Sequence, residues 1–188
     1  MKSELHIQAI TDAYNIYTSG TKSISTPAMA ASLQACIFLF KICQDNQFKK
    51  LIDLGSGITS FVLRYYQSLY NDVTVYSVDD NADWLEKTKS FIQHFDLNND
   101  NFVHMINAVK ELNFDLVVYD YGYMDVRKTN LRKAIGLCAT TGTIYCDDCH
   151  KVDYYKYVKR VINDNYIITE VPSTFDTYER FGILLTKK

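Results

Sequence analysis

The chain lacks several of the features that would assign it at once to a specialised class of protein. It has only two prolines and one tryptophan among 188 residues, and no apolar run is long enough to cross a bilayer. Its 20 basic and 22 acidic side chains give a formal net charge of −2, which favours neither nucleic acid nor an anionic membrane as the main partner. The sequence has no repeat and no linker, so we expect a single globular domain over residues 1–188 whose partner is a small molecule.

Cysteine is present, but its number and spacing do not suggest a disulfide framework. The five cysteines are odd in number, and the amino-terminal segment lacks the apolar core of a signal peptide, so we expect a cytoplasmic protein with reduced thiols. Two of them lie in the string CDDCH, residues 146–150, a spacing that is used for c-type haem attachment and that also suits zinc. Haem attachment of this type needs an exported protein, and zinc needs a fourth ligand that the sequence does not offer.

The first part of the chain, residues 1–46, is predicted to form a helical cap. Apolar residues recur at mostly helical spacing from about Glu4 to Tyr17, and Gly20 then ends the pattern. Thr26 and Pro27 suggest the N-cap and the first residue of a second helix, which runs through AMAASLQACIFLFKICQ. This helix is apolar almost all round, so we expect it to be buried against the domain or against a second copy in a homodimer.

The rest of the chain, residues 47–188, alternates between short apolar segments and amphipathic ones. Strand–helix–strand units of this kind predict a parallel sheet covered by helices on both faces. The last two apolar segments have no helix between them and predict an antiparallel hairpin at one edge. The expected fold is therefore α/β, a doubly wound, Rossmann-like and mostly parallel sheet of seven strands: KKLIDLG, TVYSVDD, NFVHMIN, FDLVVYD, TGTIYCDD, YIITEV and FGILLTK.

Acidic side chains end most of the predicted parallel strands. In doubly wound sheets ligands bind beyond the carboxyl ends of the strands, so the residues found there are candidates for the functional site. An acidic residue ends four of the five strands that precede the hairpin. The strand-end residues are Asp53, Asp79 with Asp80, Asn107, Asp120, and Asp147 with Asp148.

The segment LIDLGSGITS is the most informative stretch, because it places a G-x-G turn between the first strand and a helix. Gly55 permits a tight turn, and Gly57 lets the backbone approach a ligand closely. An ATP-type loop needs a lysine that is missing here. An NAD-type loop needs a third glycine where this chain has Ser60.

Asp53 separates the candidate cofactors further. Its carboxylate would repel a pyrophosphate at the helix N-terminus and would suit a cationic ligand without phosphate. S-adenosylmethionine (SAM) carries an ammonium group and a sulfonium and no phosphate, and Asp79 would then accept hydrogen bonds from its ribose hydroxyls. The alternative is that Asp53 only caps the loop by accepting bonds from backbone N–H groups.

The string DLGSG after a strand, followed by VYSVDDNADWL and FDLVVYD, resembles the class I SAM-dependent methyltransferases from about Phe48 to the C-terminus. The segment STPAMAASL also resembles the leading helix of small O-methyltransferases. A third loop glycine that is common in the family is replaced here by Thr59. The resemblance implies SAM as the cofactor and the following residues as its binding site: Asp53, Gly55, Ser56, Gly57, Asp79, Asp80, Asn107, Ala108 and Asp120.

A second site is predicted where the fourth and fifth strands end. Neighbouring strands would bring Asp120 close to Asp147 or Asp148, and carboxylates that close repel one another unless a cation or a shared proton separates them. Oxygen ligands favour Mg²⁺ or another divalent cation. The pattern also resembles catechol-type and macrolide-sugar O-methyltransferases, which implies Asp120, Asp147 and Asp148 as metal ligands. The alternative is that Asp147 and Asp148 cap the next helix.

The resemblance implies methyl transfer to a hydroxyl oxygen of a small molecule, with Asp120 and His150 as catalytic residues. His150 would act as the general base, or it simply lies in the first turn of a helix. Tyr121 and Tyr123 either wall the substrate pocket or pack under the next helix. Two other functions stay open, an NAD-dependent oxidoreductase and a non-catalytic SAM-binding scaffold or sensor.

Overall fold

The computed structural model describes residues 2–21 and 23–188, and helices alternate with strands through most of these ranges. The α-helices are α1 (Lys2–Thr18), α2 (Leu33–Asn46), α3 (Ile58–Ser68), α4 (Ala82–His94), α5 (Met124–Leu137) and α6 (Val152–Ile162). The strands are β1 (Lys50–Leu54), β2 (Thr74–Asp79), β3 (Phe102–His104), β4 (Phe114–Tyr119), β5 (Cys138–Cys146), β6 (Tyr166–Glu170) and β7 (Ile183–Lys187). Short 3₁₀ turns lie at Ile106–Ala108, Asn163–Asn165 and Pro172–Thr174.

The described strands form one sheet of seven in the order β3-β2-β1-β4-β5-β7-β6. Neighbours among β1 to β5 pair in parallel, whereas β7 pairs antiparallel with both β5 and β6. This confirms the predicted Rossmann-like sheet and its antiparallel C-terminal hairpin. The strand order reverses direction between β1 and β4, and a crevice opens beyond the carboxyl ends of strands at such a point.

The central strands are apolar on both sides because helices cover both faces of the sheet. Leu51 and Val118 pack into one core cluster with residues of α1 to α4, and Ile52 and Val117 pack into the other with residues of α5 and α6. All four side chains are fully buried. Complete burial of a side chain of this size contributes about 1.5–3 kcal/mol, so the alternation fixes which side of the sheet each helix covers.

The second helix begins later than Thr26 and Pro27 predict, which corrects that boundary. Its N-cap is Ser32, whose Oγ accepts a hydrogen bond from the Ala35 backbone N–H at 3.0 Å. The preceding segment forms a separate turn, in which the Thr26 carbonyl accepts bonds from the N–H groups of Met29 and Ala30. A Thr-Pro pair can open a turn as well as a helix, and tertiary contacts hold this segment away from the helix axis.

None of the helices in the described ranges is long and apolar enough to pass through a bilayer. The division of the chain into a cap over 1–46 and a core over 47–188 stays a prediction.

Candidate functional site

A cleft of about 230 Å³ lies beyond the carboxyl ends of the central strands. We call it the glycine-loop compartment. Its lining consists of Tyr17, Met29, Ala30, Ala31, residues 55–59, Asp79, Asp80, Asn81, Trp84, Asp120, Gly122 and Tyr123. The ends of β1, β2 and β4 therefore meet here, as the sheet order requires.

The two glycines of the loop differ in how strictly they exclude a side chain. Gly55 has φ +99°, and a Cβ at this position would lie 2.2 Å from the backbone oxygen of Asp120. Gly57 has an extended backbone, but its Cβ would lie 3.2 Å from the hydroxyl of Tyr17. The first glycine thus allows the turn and lets β1 approach the end of β4, and the second keeps the loop close to α1.

Asp79 ties the glycine loop to the start of α4. Its Oδ2 accepts hydrogen bonds from the N–H and the hydroxyl of Ser56, at 2.8 and 3.0 Å, and its Oδ1 accepts the N–H of Asn81 at 2.9 Å. Burial raises the pKa of this carboxyl, and these hydrogen bonds oppose the rise. Asp79 lines the cleft beside Asp80, so the predicted pair of acids lies where a ligand of the loop would contact it.

Asp53 is fully buried beneath the loop and does not line the cleft. Its Oδ2 accepts bonds from the hydroxyls of Thr59 and Ser60, at 2.9 and 2.6 Å, whereas its Oδ1 is buried without a partner. Burial raises the pKa of Asp53 to about 7, with the two hydroxyl bonds opposing. The carboxylate therefore fixes the first turn of α3 through side-chain hydroxyls, and its direct contact with a ligand stays a prediction.

The predicted adenine contacts lie apart from the cleft. Asn107 and Ala108 are exposed in a 3₁₀ turn, and Asn107 accepts a hydrogen bond from the Lys133 ammonium. Tyr121 is 1% exposed and anchors this turn, because its hydroxyl accepts the Ile106 N–H at 3.0 Å. Tyr123 is 89% exposed at the rim of the cleft, so one predicted tyrosine packs inside and the other faces the site.

Sequence reasoning missed two aromatic residues of the cleft. Trp84 donates from Nε1 to the Ser56 carbonyl at 2.7 Å and braces the loop from the α4 side. Tyr17 reaches the loop from α1, and its hydroxyl is buried without a hydrogen-bond partner. Trp84 follows the β2 acids by a few residues and could have been found as the single tryptophan, but nothing in the sequence points to Tyr17.

A second cavity of about 470 Å³ adjoins the first and shares Met29, Ala30, Ala31, Asp120 and Tyr123 with it. We call it the carboxylate compartment. Its remaining lining residues are Ala28, Arg127, Asp147, Asp148, His150, Lys151, Tyr178 and Arg180. The three predicted metal ligands and the predicted base therefore lie around one cavity.

Arg127 was also missed, and it pairs with two of the three carboxylates. Its Nη2 is 2.5 Å from Asp120 Oδ1, and its Nη1 is 2.8 Å from Asp148 Oδ2. Lys151 Nζ lies 2.5 Å from the same oxygen of Asp148. Burial on its own would raise the pKa of Asp148, but Lys151 and Arg127 outweigh it and lower the pKa.

Asp147 and Asp120 differ from Asp148 in their ionisation. Burial and the charge of Asp148 raise the pKa of Asp147, whose Oδ1 accepts a long hydrogen bond from the Tyr145 hydroxyl at 3.4 Å. Burial also raises the pKa of Asp120, while Arg127 opposes the rise. The compartment thus combines one strongly ionised carboxylate with two that hold a proton more readily.

His150 lies at the edge of this compartment. Its side chain is 22% exposed, and its Nδ1 is buried without a hydrogen bond, 3.7 Å from Asp148 Oδ1. The N-cap of α6 is Lys151, so neither Asp147 nor Asp148 caps that helix as the alternative interpretation would have it. His150 precedes the helix and does not lie in its first turn.

The carboxylates as arranged do not suit a divalent cation, because Arg127 already pairs with one oxygen of Asp120 and shares one oxygen of Asp148 with Lys151. Within residues 2–21 and 23–188, no cluster of three His, Cys, Asp or Glu side chains is placed to hold a metal. Cys146 and Cys149 are buried in the core, and burial raises the pKa of both thiols. The two cysteines of the CDDCH string are therefore core side chains, whereas its aspartates and histidine line the carboxylate compartment.

The segment 28–31 lines both compartments, and Arg180 holds it in place by hydrogen bonds. Its guanidinium donates to the carbonyl oxygens of Pro27, Ala28 and Ala30 at 2.9, 3.0 and 2.9 Å. Asp176 orients Arg180 through Nε at 2.7 Å. These hydrogen bonds help to hold the segment before α2 over the ends of the strands.

No protein-family model matches the chain, and no curated protein matches it. Solved structures do. The O-methyltransferase TomG of Streptomyces achromogenes, which is involved in tomaymycin synthesis and was solved with SAM, has 13% identity and a TM-score of 0.70, over 97% of this chain and 90% of that one. A Bacillus cereus O-methyltransferase, solved with S-adenosylhomocysteine (SAH), has 15% identity and a TM-score of 0.68, over 97% of this chain and 88% of that one.

The methyltransferase PaMTH1 of Podospora anserina, solved with SAH, has 14% identity and a TM-score of 0.65, over 99% of this chain and 87% of that one. At these identities the likeness concerns the fold. The chain has the fold of the SAM-dependent O-methyltransferases, which confirms at the level of structure the resemblance predicted from DLGSG and the strands that follow it.

Proposed function

We propose that the protein transfers the methyl group of SAM to a hydroxyl oxygen of a small molecule. The observation that carries this proposal is the charge of the glycine-loop compartment. Among the described residues that line it are three aspartates, Asp79, Asp80 and Asp120, and neither lysine nor arginine. A cleft of this charge on a glycine turn suits a cationic nucleoside and opposes a pyrophosphate.

The loop residues have the chemistry that SAM would need. The backbone at Gly55, Ser56 and Gly57 lets a ligand approach closely, and the Asp79 carboxylate stands at the cleft for ribose hydroxyls. Asp80 adds a second acceptor, and Asp120 would offer a carboxylate oxygen to the ammonium group. Contact of Asn107 and Ala108 with adenine stays a prediction, since neither lines the cleft. The neighbouring structures that contain SAM or SAH support this assignment by fold.

The carboxylate compartment is the proposed acceptor site, since it adjoins the first compartment and shares Asp120 with it. In the reaction the acceptor oxygen forms a bond to the methyl carbon while the carbon–sulfur bond breaks and its electron pair stays on sulfur. The hydroxyl proton would pass to a side chain, for which His150 and Asp120 are the candidates. Alignment and exclusion of water are the main contributions asked of the protein.

Three alternatives to this proposal each predict a different observation. A reaction assisted by Mg²⁺ at Asp120, Asp147 and Asp148 requires Arg127 to move. A non-catalytic scaffold or sensor would bind SAM without turnover. An oxidoreductase would bind NADH, which the acidic lining of the glycine-loop compartment disfavours.

The test uses SAM labelled in its methyl group, with a panel of phenols, catechols and sugar alcohols as acceptors. We expect label in an acceptor, and one SAH formed for each methyl transferred, by mass spectrometry. SAM binding without label in any acceptor would favour the scaffold. Binding of NADH in place of SAM would contradict the proposal.

A further inference from the structure

Arg127 lies where carboxylates from two neighbouring strands converge. β4 and β5 are paired with Tyr119 opposite Cys146, so the acids that follow these strands leave the sheet at nearly the same level. The guanidinium contacts Asp120 through Nη2 and Asp148 through Nη1, at 2.5 and 2.8 Å. One side chain of α5 therefore bridges the ends of both strands.

The guanidinium is built into the fold, unlike an arginine that meets an acid at the surface. Arg127 is only 6% exposed, and its Nη2 also donates to the backbone oxygens of Asp120 and Gly122, each at 3.1 Å. Its planar group lies 6.0 Å from the centre of the Tyr154 ring. A buried arginine of this kind needs charged partners held in place, so the position and the ionisation of the carboxylates are linked to it.

The two cations engage one oxygen of Asp148 and one oxygen of Asp120 where the carboxylates converge. Asp148 Oδ2 accepts hydrogen bonds from both Arg127 and Lys151, and Asp120 Oδ1 forms an ion pair with Arg127. A divalent ion at these oxygens would have to displace hydrogen bonds to charged donors and would lie beside two like charges. The positive charge that three close carboxylates require is already present in the chain.

We propose that Arg127 takes the place and the charge of a divalent cation between the ends of β4 and β5, so that this site works without a metal. The proposal concerns what neutralises the carboxylates and does not depend on which group the protein transfers. A guanidinium has only hydrogen-bond donors and no coordination sites, so it can orient an acceptor oxygen but cannot ligate it. Removal of an acceptor proton would then fall to a side chain.

The test measures Mn²⁺ binding from the loss of the free-ion signal in electron paramagnetic resonance, and follows the melting temperature in parallel. The wild-type protein is expected to leave the Mn²⁺ signal unchanged and to melt at the same temperature with and without EDTA. Arg127→Met removes the charge but keeps much of the volume. This variant is expected to bind one Mn²⁺ and to melt at a higher temperature when the ion is present.

Two further variants test whether any bound Mn²⁺ lies at the position of the Arg127 guanidinium. Arg127→Lys keeps a positive charge and is expected to bind no Mn²⁺, and the double variant Arg127→Met with Asp148→Asn is expected to lose the ion again. If Arg127→Met does not fold alone, Mn²⁺ is expected to restore its folded circular dichroism spectrum, and failure to do so counts against the proposal. A wild-type protein that binds Mn²⁺ and loses it on Asp148→Asn would overturn the proposal, as would a folded Arg127→Met variant that binds none.

Discussion

The carboxylates of the two compartments differ in the charge of their hydrogen-bonding and ion-pairing partners. In the glycine-loop compartment Asp79 accepts hydrogen bonds from backbone N–H groups and a hydroxyl, and one oxygen of Asp53 beneath it accepts from two hydroxyls. In the carboxylate compartment Asp120 and Asp148 are satisfied by a guanidinium and an ammonium. Neutral donors leave the negative charge uncompensated, whereas cationic donors cancel it.

This difference suits the two halves of the proposed reaction. An uncompensated carboxylate at the loop can attract a cationic nucleoside, and burial holds it in a fixed geometry. In the neighbouring carboxylate compartment, the cations balance the carboxylates. A methyl acceptor can therefore enter without meeting a strong electrostatic potential of one sign. Asp120 lines both compartments and is therefore the residue at which the two environments meet.

The largest expected effect comes from Gly55→Ala, which forces the end of β1 away from the end of β4. The new Cβ would overlap the Asp120 backbone oxygen at 2.2 Å, and the residue would also hold φ +99°. We expect a loss of about 4 kcal/mol or more in the free energy of unfolding, measured by urea denaturation.

Gly20→Ala is the matched control, because Gly20 has φ +101° and nothing within 4 Å of the added Cβ. It should lose only the backbone contribution, about 1–2 kcal/mol. Equal losses in the two variants would show that the approach of β1 to β4 is not tight.

Asp79→Asn should come next in size and should act on the glycine-loop compartment alone. The amide would place a donor against an N–H of Ser56 or Asn81, so we expect affinity for SAH to fall about tenfold or more in calorimetry. Asp80→Asn is the comparison, since the Asp80 carboxylate does not hold the loop, and its effect should be about twofold. A larger effect of Asp80→Asn would indicate that Asp80, rather than Asp79, contacts the ribose.

Asp53→Asn tests the buried carboxyl beneath the loop through the pH dependence of stability. The folded protein holds the Asp53 proton up to about pH 7, whereas the unfolded chain releases it near pH 4. The stability that the protonated Asp53 carboxyl contributes is therefore fully present below the pKa of the unfolded chain. It is lost as pH rises through the pKa of the folded protein, and the total loss is about 1.4 kcal/mol per unit of difference between the two pKa values. We expect wild type to lose stability relative to Asp53→Asn between pH 4 and 7, in urea unfolding.

The exposed Asp45 supplies the control for this pH series, because Asp45→Asn removes a carboxylate at the surface. Its stability should follow that of the wild type across the same range. A constant difference between wild type and Asp53→Asn at every pH would mean that folding does not shift the pKa of Asp53.

Trp84→Phe should have the smallest effect. It removes the hydrogen bond from Nε1 to the Ser56 carbonyl but keeps a ring against the loop. We expect a loss of about 1 kcal/mol in thermal unfolding followed by circular dichroism. A loss as large as that of Gly55→Ala would mean that Trp84, rather than the glycine turn, determines the loop.

The sheet and the meeting of its strand ends were predictable from the sequence, because buried parallel strands are short apolar runs and β1 ends in an unmistakable glycine turn. The position of Asp79 and Asp120 at the cleft follows from the same pattern. Strand periodicity is local, and so these features needed no knowledge of which helix packs where.

Arg127, Tyr17 and the start of α2 were not predictable for the same reason. Arg127 is one of several basic residues along α5, and only packing decides which of them turns toward β5. Tyr17 of α1 contacts the loop at Gly57, and the segment before α2 is held by Arg180, which lies far along the chain. Contacts between distant segments carry this information, and no spacing in the sequence encodes it.

Calorimetric titration of SAM and of NADH into the wild-type protein, in the presence of EDTA, tests the central claim most directly. The claim is that the acidic, base-free glycine-loop compartment takes a cationic nucleoside that has no phosphate. We expect SAM to bind with one site per chain and NADH to give no binding heat. Binding of NADH without binding of SAM would contradict the account.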